Sequence, residues 1–212
     1  MNLPFASLFT LTDEQAMARV CQEDDVEAFA ELMKRWQTPI RNLCLRMTGD
    51  LQRAEDLTQE AFTRLYQYRK NYQPRGKVST FVWRIALNLC YDEQRRIKRR
   101  GESSLDAEQG DNIVMLESAS PAEQTEESER AEIVRRALAK LPEIYRTVLV
   151  LRHYEDLKFR EIADILEIPE GTVKSRMSEA LTQLNRILQP MLSESRAERP
   201  SSGGNENERA SL

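Results

Sequence analysis

The first part of the chain carries apolar residues at helical spacing. They recur every three or four positions, as one buried helix face requires: Val26, Phe29, Met33, Trp36, Ile40, Leu43 and Met47. A helix is therefore predicted to begin at Val26, with Asp24 or Asp25 as its N-cap. Pro39 is expected to bend or break this helix near Gln37, because proline removes a backbone hydrogen bond and clashes with the preceding turn.

Two further helices are predicted in this half of the chain. One runs from about Leu51 to Tyr68, with Asp50 as its cap and Gly49 ending the helix before it. After a loop around residues 71–78, Ser79 or Thr80 is expected to cap another helix, which reaches about Arg96. The low content of glycine, 7 residues in 212, also favours helices over sheets, because sheets need frequent turns.

The second half of the chain contains a pair of helices joined by a short turn. Helices are first predicted from about Glu126 to Lys140 and from Pro142 onward, since proline suits a first helical turn. Residues 158–166 then predict a short helix, 167–171 a connection, and a last helix begins near Thr172. Because this last helix opens with small polar and basic side chains, the pair matches a helix-turn-helix that binds DNA. The alternative is an ordinary helical hairpin in a bundle.

Charge divides the chain into the same two parts. The net charge is −4, but residues 101–132 hold 10 acidic and one basic side chain, while the stretches before and after are mildly basic. Few residues between 101 and 125 are aromatic or β-branched, so this stretch is predicted to be a flexible acidic linker between two small helical domains. The tail from Ser193, rich in serine and glycine, is expected to be disordered.

Between residues 66 and 100, aromatic and basic side chains are interleaved, and five of the six residues at 95–100 are Lys or Arg. Such a surface suits unpaired nucleic acid, because rings stack on bases and cations neutralise phosphates. The aromatic residues could equally belong to the core, and for Phe81 and Trp83 the two interpretations weigh about the same.

Other classes of protein fit less well. No apolar run approaches the length of a membrane span, no secretory leader is recognisable, and three unpaired cysteines favour a reducing cytoplasm. An enzyme would have to use Cys21, Cys44, Cys90 or His153, whose spacing fits no zinc pattern. No cofactor, metal or catalytic residue is therefore predicted.

Three stretches together resemble the extracytoplasmic-function sigma factors, the small promoter-recognition subunits of bacterial RNA polymerase. Residues 54–62 are similar to the family's core-binding helix, residues 80–88 with 92 and 95–96 to its −10 segment, and residues 141–176 to its −35 domain. The resemblance covers about residues 20–190 in the family's order. It implies an N-terminal extension (1–23), sigma region 2 (24–100), an acidic linker (101–125), sigma region 4 (126–190) and a tail (191–212).

The resemblance also implies roles for individual residues. Asp56, Gln59 and Glu60 would bind the polymerase clamp. The −10 element would be melted and bound by seven residues: Lys77, Phe81, Trp83, Arg84, Asn88, Arg95 and Arg96. The −35 element would be bound by six: Arg160, Thr172, Lys174, Ser175, Arg176 and Ser178. Asn88 aligns with a position that holds a flipped base.

The expected function is promoter-specific initiation with core polymerase, bound at its clamp and flap, under the control of an anti-sigma factor. The linker would enter a basic channel of the polymerase, and the free protein would bind DNA weakly because the linker covers its basic surfaces. The alternatives are a stand-alone helix-turn-helix regulator, an enzyme, and an inactive sigma-like decoy. Ser178 and Glu179 stand where relatives often have basic or aromatic residues, so the sequence predicts neither the strength of the −35 contacts nor the promoter consensus.

Overall fold

The computed structural model describes residues 11–72, 76–103 and 123–197 of the chain, and all the regular structure in these residues is helical. This confirms the predicted all-α class. The described residues form eight α-helices: α1 (Asp13–Glu23), α2 (Val26–Thr48), α3 (Leu51–Gln67), α4 (Val78–Ser103), α5 (Glu123–Lys140), α6 (Glu143–His153), α7 (Phe159–Leu166) and α8 (Glu170–Ala197). A 3₁₀ turn at Arg69–Asn71 lies between α3 and α4.

Helix α1 lies in the stretch that the sequence assigns to an N-terminal extension. A capping box begins it, because the Thr12 side chain accepts from the Gln15 amide while the Gln15 side chain accepts from the Thr12 amide. Ala16, Met17 and Val20 are fully buried. Residues 13–23 therefore pack into the core of the first helical group.

Helix α2 has the predicted start and end but not the predicted break. Asp25 is its N-cap and accepts from the Ala28 amide, whereas Asp24 ends α1 in the left-handed conformation. Gly49 ends α2 at φ 75°, as glycine readily does. The break predicted near Gln37 is wrong, because α2 continues through Pro39. Proline costs about 3 kcal/mol or more in a helix interior, and burial of the apolar residues on both sides outweighs that cost.

Helix α4 begins earlier and ends later than predicted. It starts at Val78, which is fully buried, so Ser79 and Thr80 lie within its first turn and are not its caps. It continues past Arg96 to Ser103, so the basic run at 95–100 is helical. The predicted linker falls mostly on residues 104–122, outside the described residues.

The helix-turn-helix consists of α7 and α8, and its turn is tighter than predicted. Only Glu167, Ile168 and Pro169 separate the two helices, because Gly171 already lies in the first turn of α8. Glu167 adopts the left-handed conformation at φ 56°, which ends α7. Helix α8 extends to Ala197, so the prediction of disorder from Ser193 is wrong for residues 193–197. The rest of the predicted tail lies outside the described residues.

The two helical groups, α1–α4 and α5–α8, pack directly against each other. One buried apolar cluster runs from the first group into α6, α7 and α8, where it includes Val148, Leu151, Ile162 and Val173. A smaller cluster closes the second group around Leu138, Leu141, Leu149 and Ala180. Helix α7 thereby meets the part of α4 that carries Arg84.

Candidate nucleic-acid interface

The three predicted polymerase contacts are exposed on one helix. Asp56, Gln59 and Glu60 project from α3, whose opposite face is buried through Ala61 and Leu65. Helix α3 lies between two grooves. Gln59 lines an apolar groove of about 510 Å³ with Phe62 and other residues of α2 and α3. Asp56 and Glu60 line a charged groove of about 1070 Å³ between α3 and α4.

The charged groove also contains two residues predicted to bind the −10 element. Arg95 and Arg96 line its α4 side, each close to a carboxylate of its own helix, Asp92 at 3.6 Å and Glu93 at 3.4 Å. The structure therefore brings predicted polymerase contacts and predicted DNA contacts to opposite walls of one groove. Surface ion pairs of this kind contribute only about 0–1 kcal/mol, so DNA phosphates would readily replace these carboxylates as partners of Arg95 and Arg96.

Trp83 is not available for stacking on bases. Its side chain is 3% exposed, and its ring meets Trp36 edge to face, with 5.4 Å between centroids. Because it projects into the core between α2 and α4, we assign it a packing role and not the predicted DNA contact. Phe81 is half-buried against Tyr72, at 5.7 Å between ring centroids, so part of its ring stays accessible.

Lys77 and Arg84 are both bound to helix α7. The Lys77 ammonium donates to Glu161 at 2.8 Å, and this hydrogen bond raises the pKa of Lys77. The Arg84 guanidinium donates to the backbone carbonyls of Asp164 and Ile165 and pairs with Glu167 at 2.8 Å. Both cations are thus occupied by the second helical group.

Asn88 is the member of the predicted −10 set that is both uncharged and exposed. It follows Arg84 by one turn of α4, between the buried positions Leu87 and Leu89. Its amide therefore stands on an otherwise well-packed helix. An amide both donates and accepts hydrogen bonds, so it can pair with the edge of a base.

The predicted −35 residues cluster at the start of α8. Lys174, Ser175 and Ser178 are exposed, and Thr172 is half-buried. Lys174 pairs with Glu170 of its own helix at 2.7 Å, and the Ser175 hydroxyl donates to the Thr172 carbonyl. Arg160, also exposed, lies on α7. These contacts are local, so this end of α8 remains open to a ligand.

Arg176 differs from its neighbours because it is half-buried. Burial raises the pKa of Tyr91 on α4, a hydrogen bond with Thr147 opposes that rise, and the positive charge of Arg176 opposes it further. The Tyr91 hydroxyl donates to Thr147 at 3.0 Å, which links α4 to α6.

A second set of contacts between the two groups was not predicted from the sequence. Arg146 of α6 donates to the Met47 carbonyl at the end of α2, and Arg46 pairs with Glu155 at 3.3 Å. The guanidinium of Arg46 also lies 4.2 Å from the centre of the Tyr154 ring. Burial lowers the pKa of Arg146 and raises that of Glu155.

The cysteines and the histidine form no common centre in the described part of the chain. The Cys44 and Cys90 sulfurs are 3.7 Å apart in the core, and the Cys21 thiol donates to the Arg69 carbonyl. Hydrogen bonding to Cys44 and burial raise the pKa of Cys90, which opposes nucleophilic reactivity. Among the described residues, no group of three His, Cys, Asp or Glu side chains could hold a metal ion.

Helices long and apolar enough to cross a bilayer are also lacking within residues 11–72, 76–103 and 123–197.

Comparison with known proteins decides which family these surfaces belong to. The family model for sigma-70 region 2 matches residues 32–100, and that for sigma-70 region 4 matches residues 131–184. The ECF RNA polymerase sigma factor SigW of Bacillus subtilis is 33% identical over 177 residues, 80% of this chain and 94% of its own length. The chain belongs to the ECF sigma factors. The RNA polymerase sigma-H factor of Pseudomonas aeruginosa is 34% identical over 86% of this chain and 96% of its own length.

The fold agrees with this sigma factor assignment. The structure of CnrH in complex with the cytosolic domain of CnrY superposes with a TM-score of 0.63 at 19% identity, over 84% of this chain and 97% of that one. RpoE of Bartonella quintana, solved with the anti-sigma factor NepR, superposes at 0.64 with 20% identity, over 77% of this chain and 98% of its own. The sigma factor therefore recognises promoters for RNA polymerase, and a stand-alone regulator is not favoured because the relatives match both regions. Sigma factors as a family are not enzymes.

Proposed function

We propose that the α4 face around Asn88 binds the −10 element as a single strand. Asn88 would hold a flipped base through its amide, while Lys77, Arg84, Arg95 and Arg96 neutralise the flanking phosphates. Flipping costs a few kcal/mol of unstacking, which contact with the accessible part of Phe81 would partly offset. This assignment omits Trp83, because its ring lies in the core.

The start of α8 would bind the −35 element. Its exposed small residues, Ser175 and Ser178, permit close approach to a major groove, and Lys174 would contact phosphate. Arg176 would pair with guanine. Arg160 on α7 and Thr172 would complete the backbone contacts.

Helix α3 would bind core polymerase. Asp56 and Glu60 supply carboxylates, and Gln59 supplies an amide beside an apolar groove. A basic and partly apolar helical surface on the polymerase clamp is the complementary partner. The second helical group would meet the polymerase flap.

Further parts of the proposal rest on the family. An anti-sigma factor would bind this chain, as NepR does RpoE of Bartonella quintana. The protein would act in the cytoplasm, where bacterial RNA polymerase works, and would have no catalytic activity of its own. The domain boundaries predicted at residues 24–100 and 126–190 belong to the same proposal.

The single observation that carries the proposal is the exposed Asn88 amide on a well-packed helix within the region that matches sigma-70 region 2. The experiment is run-off transcription with purified core polymerase on the DNA upstream of the protein's own gene. Asn88→Ala should lower the yield at least tenfold on duplex DNA and leave polymerase binding unchanged. Gln52→Ala, which removes an exposed amide from α3, is the matched control. Equal transcription by both variants would contradict the role of Asn88.

A further inference from the structure

Two of the three cysteines meet in the core of the first helical group. Cys44 belongs to the buried face of α2 with Ile40 and Met47, and Cys90 belongs to that of α4 with Ala86. The two sulfurs are 3.7 Å apart, and both side chains are fully buried. Neither cysteine takes part in the functions proposed above.

The distance between the sulfurs is close to what a disulfide requires. A disulfide bond is about 2.05 Å long, so each sulfur would have to move by only about 0.8 Å towards the other. Side-chain rotation can supply a movement of this size while the two helices stay in place. The fold therefore already provides the approach that oxidation of the pair needs.

The hydrogen bond between the thiols makes the pair asymmetric. Cys90 donates its S–H to the sulfur of Cys44, and this hydrogen bond together with burial raises the pKa of Cys90. Cys90 therefore keeps its proton, while Cys44, as the acceptor, is placed to carry a negative charge. Because the thiolate is the nucleophilic form of cysteine, Cys44 is the sulfur that reacts first with an oxidant.

We propose that Cys44 and Cys90 are a peroxide-reactive pair that forms a disulfide within the first helical group. The Cys44 thiolate attacks one oxygen of hydrogen peroxide and becomes a sulfenic acid, while the O–O bond breaks and the other oxygen leaves as water after protonation. Cys90 then loses its proton and attacks the Cys44 sulfur, which forms the S–S bond and releases the second oxygen as water. Two thiols are thus oxidised to one disulfide, and one peroxide is reduced to two waters.

The disulfide would join the two ends of a functionally important segment. Residues 44–90 include all of α3 and the part of α4 that carries Asn88. A cross-link restricts the unfolded chain, and the entropy that it removes grows with the length of the closed loop. Oxidation should therefore make this segment harder to unfold.

Peroxide treatment of the full chain carrying Cys21→Ser tests the pair directly. Serine can keep the hydrogen bond that the Cys21 thiol donates to the Arg69 carbonyl. After alkylation of free thiols in denaturant and digestion without reductant, mass spectrometry should find a Cys44–Cys90 peptide that has lost two hydrogen atoms. Met33, which is 36% exposed, is the internal control, because its sulfoxide shows that the peroxide has acted. Oxidised Met33 with both cysteines alkylated overturns the proposal.

The wild-type chain tests whether the fold selects the pair. Shorter loops close more readily in an unfolded chain, so protein oxidised in urea should form Cys21–Cys44 in preference to Cys44–Cys90. In the folded protein, Cys44–Cys90 should be the main product. The same product ratio under both conditions overturns the proposal, because the fold would then contribute nothing.

Single variants test the order of the two steps. Cys90→Ala removes the second thiol, so Cys44 should remain a sulfenic acid that dimedone labels. Cys44→Ala should give at least fivefold less label on Cys90. Stronger labelling of Cys90 than of Cys44 overturns the assignment of Cys44 as the first sulfur to react.

Urea unfolding of the oxidised and reduced Cys21→Ser chain measures the consequence. The unfolding equilibrium constant of the oxidised chain should be smaller by at least about tenfold. Equal constants overturn the stabilising effect of the disulfide. These measurements use neither DNA nor polymerase, so their failure would leave the proposed function unaffected.

Discussion

The two DNA-binding surfaces of the molecule differ in what occupies them. On α4, Lys77 and Arg84 are bound to α7, in the other helical group. At the start of α8, Lys174 pairs with Glu170 and Ser175 donates to the Thr172 carbonyl, both within the same helix. The side chains of Lys174 and Ser175 are exposed. Part of the surface proposed for an unpaired strand, at Lys77 and Arg84, is therefore bound by the second helical group, while most of the surface proposed for duplex DNA is open.

This difference suits the order of events at a promoter. Duplex DNA is present from the first encounter, whereas the single strand exists only after melting. Contacts with that strand are therefore needed only at the later step. Arg176 differs from Lys174 and Ser175 on α8 in being half-buried.

The largest expected effect comes from breaking the packing of α7. Ile162 is fully buried in the cluster shared by both groups, so Ile162→Ala should lower the free energy of unfolding by about 2–5 kcal/mol. Leu181→Ala is the control, because Leu181 of α8 is 52% exposed. It should change the free energy of unfolding by less than about 0.5 kcal/mol. Urea unfolding followed by circular dichroism measures both. Equal losses would show that α7 is not held by core packing.

Arg176→Ala tests the surface proposed for duplex DNA. Loss of a bidentate contact to guanine should weaken holoenzyme binding to duplex promoter by about 1–3 kcal/mol, with less discrimination at one base pair. Arg186→Ala removes the same charged group from an exposed position further along α8 and should retain discrimination. Gel-shift titrations with base-pair substitutions in the −35 element measure this. Unchanged discrimination by Arg176→Ala would reject the contact.

Lys174→Ala should have a smaller, sequence-independent effect. A lost phosphate contact lowers the slope of log affinity against log salt concentration by about one. The free energy of unfolding should change by only about 0.3–0.5 kcal/mol, because the Lys174–Glu170 pair is a surface pair within one helix. Lys140→Ala, exposed on α5, should leave the slope unaltered.

The smallest effect is a pH dependence of the Glu161 contact. Hydrogen bonds from the Lys77 ammonium and the Lys158 amide lower the pKa of Glu161 from its ordinary value of 4.5. Its contribution to stability is therefore fully present above pH 4.5 and is lost as the pH falls through the lowered value. The difference in unfolding free energy between wild type and Glu161→Gln should be constant from pH 6 to 8 and shrink in acid.

Glu179→Gln is the control for this titration, because Glu179 accepts a hydrogen bond from Gln183 of its own helix. An acid dependence of equal size in both variants would place the effect elsewhere in the chain.

Local features of this fold can be predicted from the sequence, whereas contacts between helices far apart in the sequence cannot. The caps at Asp25, Gly49 and Asp50 follow from neighbouring residues, and each lies where it was predicted. Helix α1 was missed although Thr12 and Gln15 form a capping box ahead of apolar residues. By contrast, Arg146 and Met47 are 99 residues apart, and no periodicity brings them together.

The same distinction explains the result for the candidate site. The exposure of Asp56, Gln59, Glu60 and Asn88 follows from helix faces, which periodicity specifies. The burial of Trp83 depends on Trp36 from another helix, and the periodicity of α4 alone gave no preference between core and surface. The pairing of Lys77 and Arg84 with α7 depends on how the two groups dock.

The carbonyl of Met47 shows what separating the two helical groups costs at one of their contacts. Arg146 donates to it from the second group at 2.7 Å, and Gln94 donates from the first at 2.8 Å. When the groups part, Gln94 can keep that oxygen bonded while water hydrates the departing guanidinium, so the exchange costs only about 0.5–1.5 kcal/mol, the net value of a typical protein hydrogen bond. This hydrogen bond therefore adds little to the cost of separating the two groups, which is set mainly by the apolar cluster that they share.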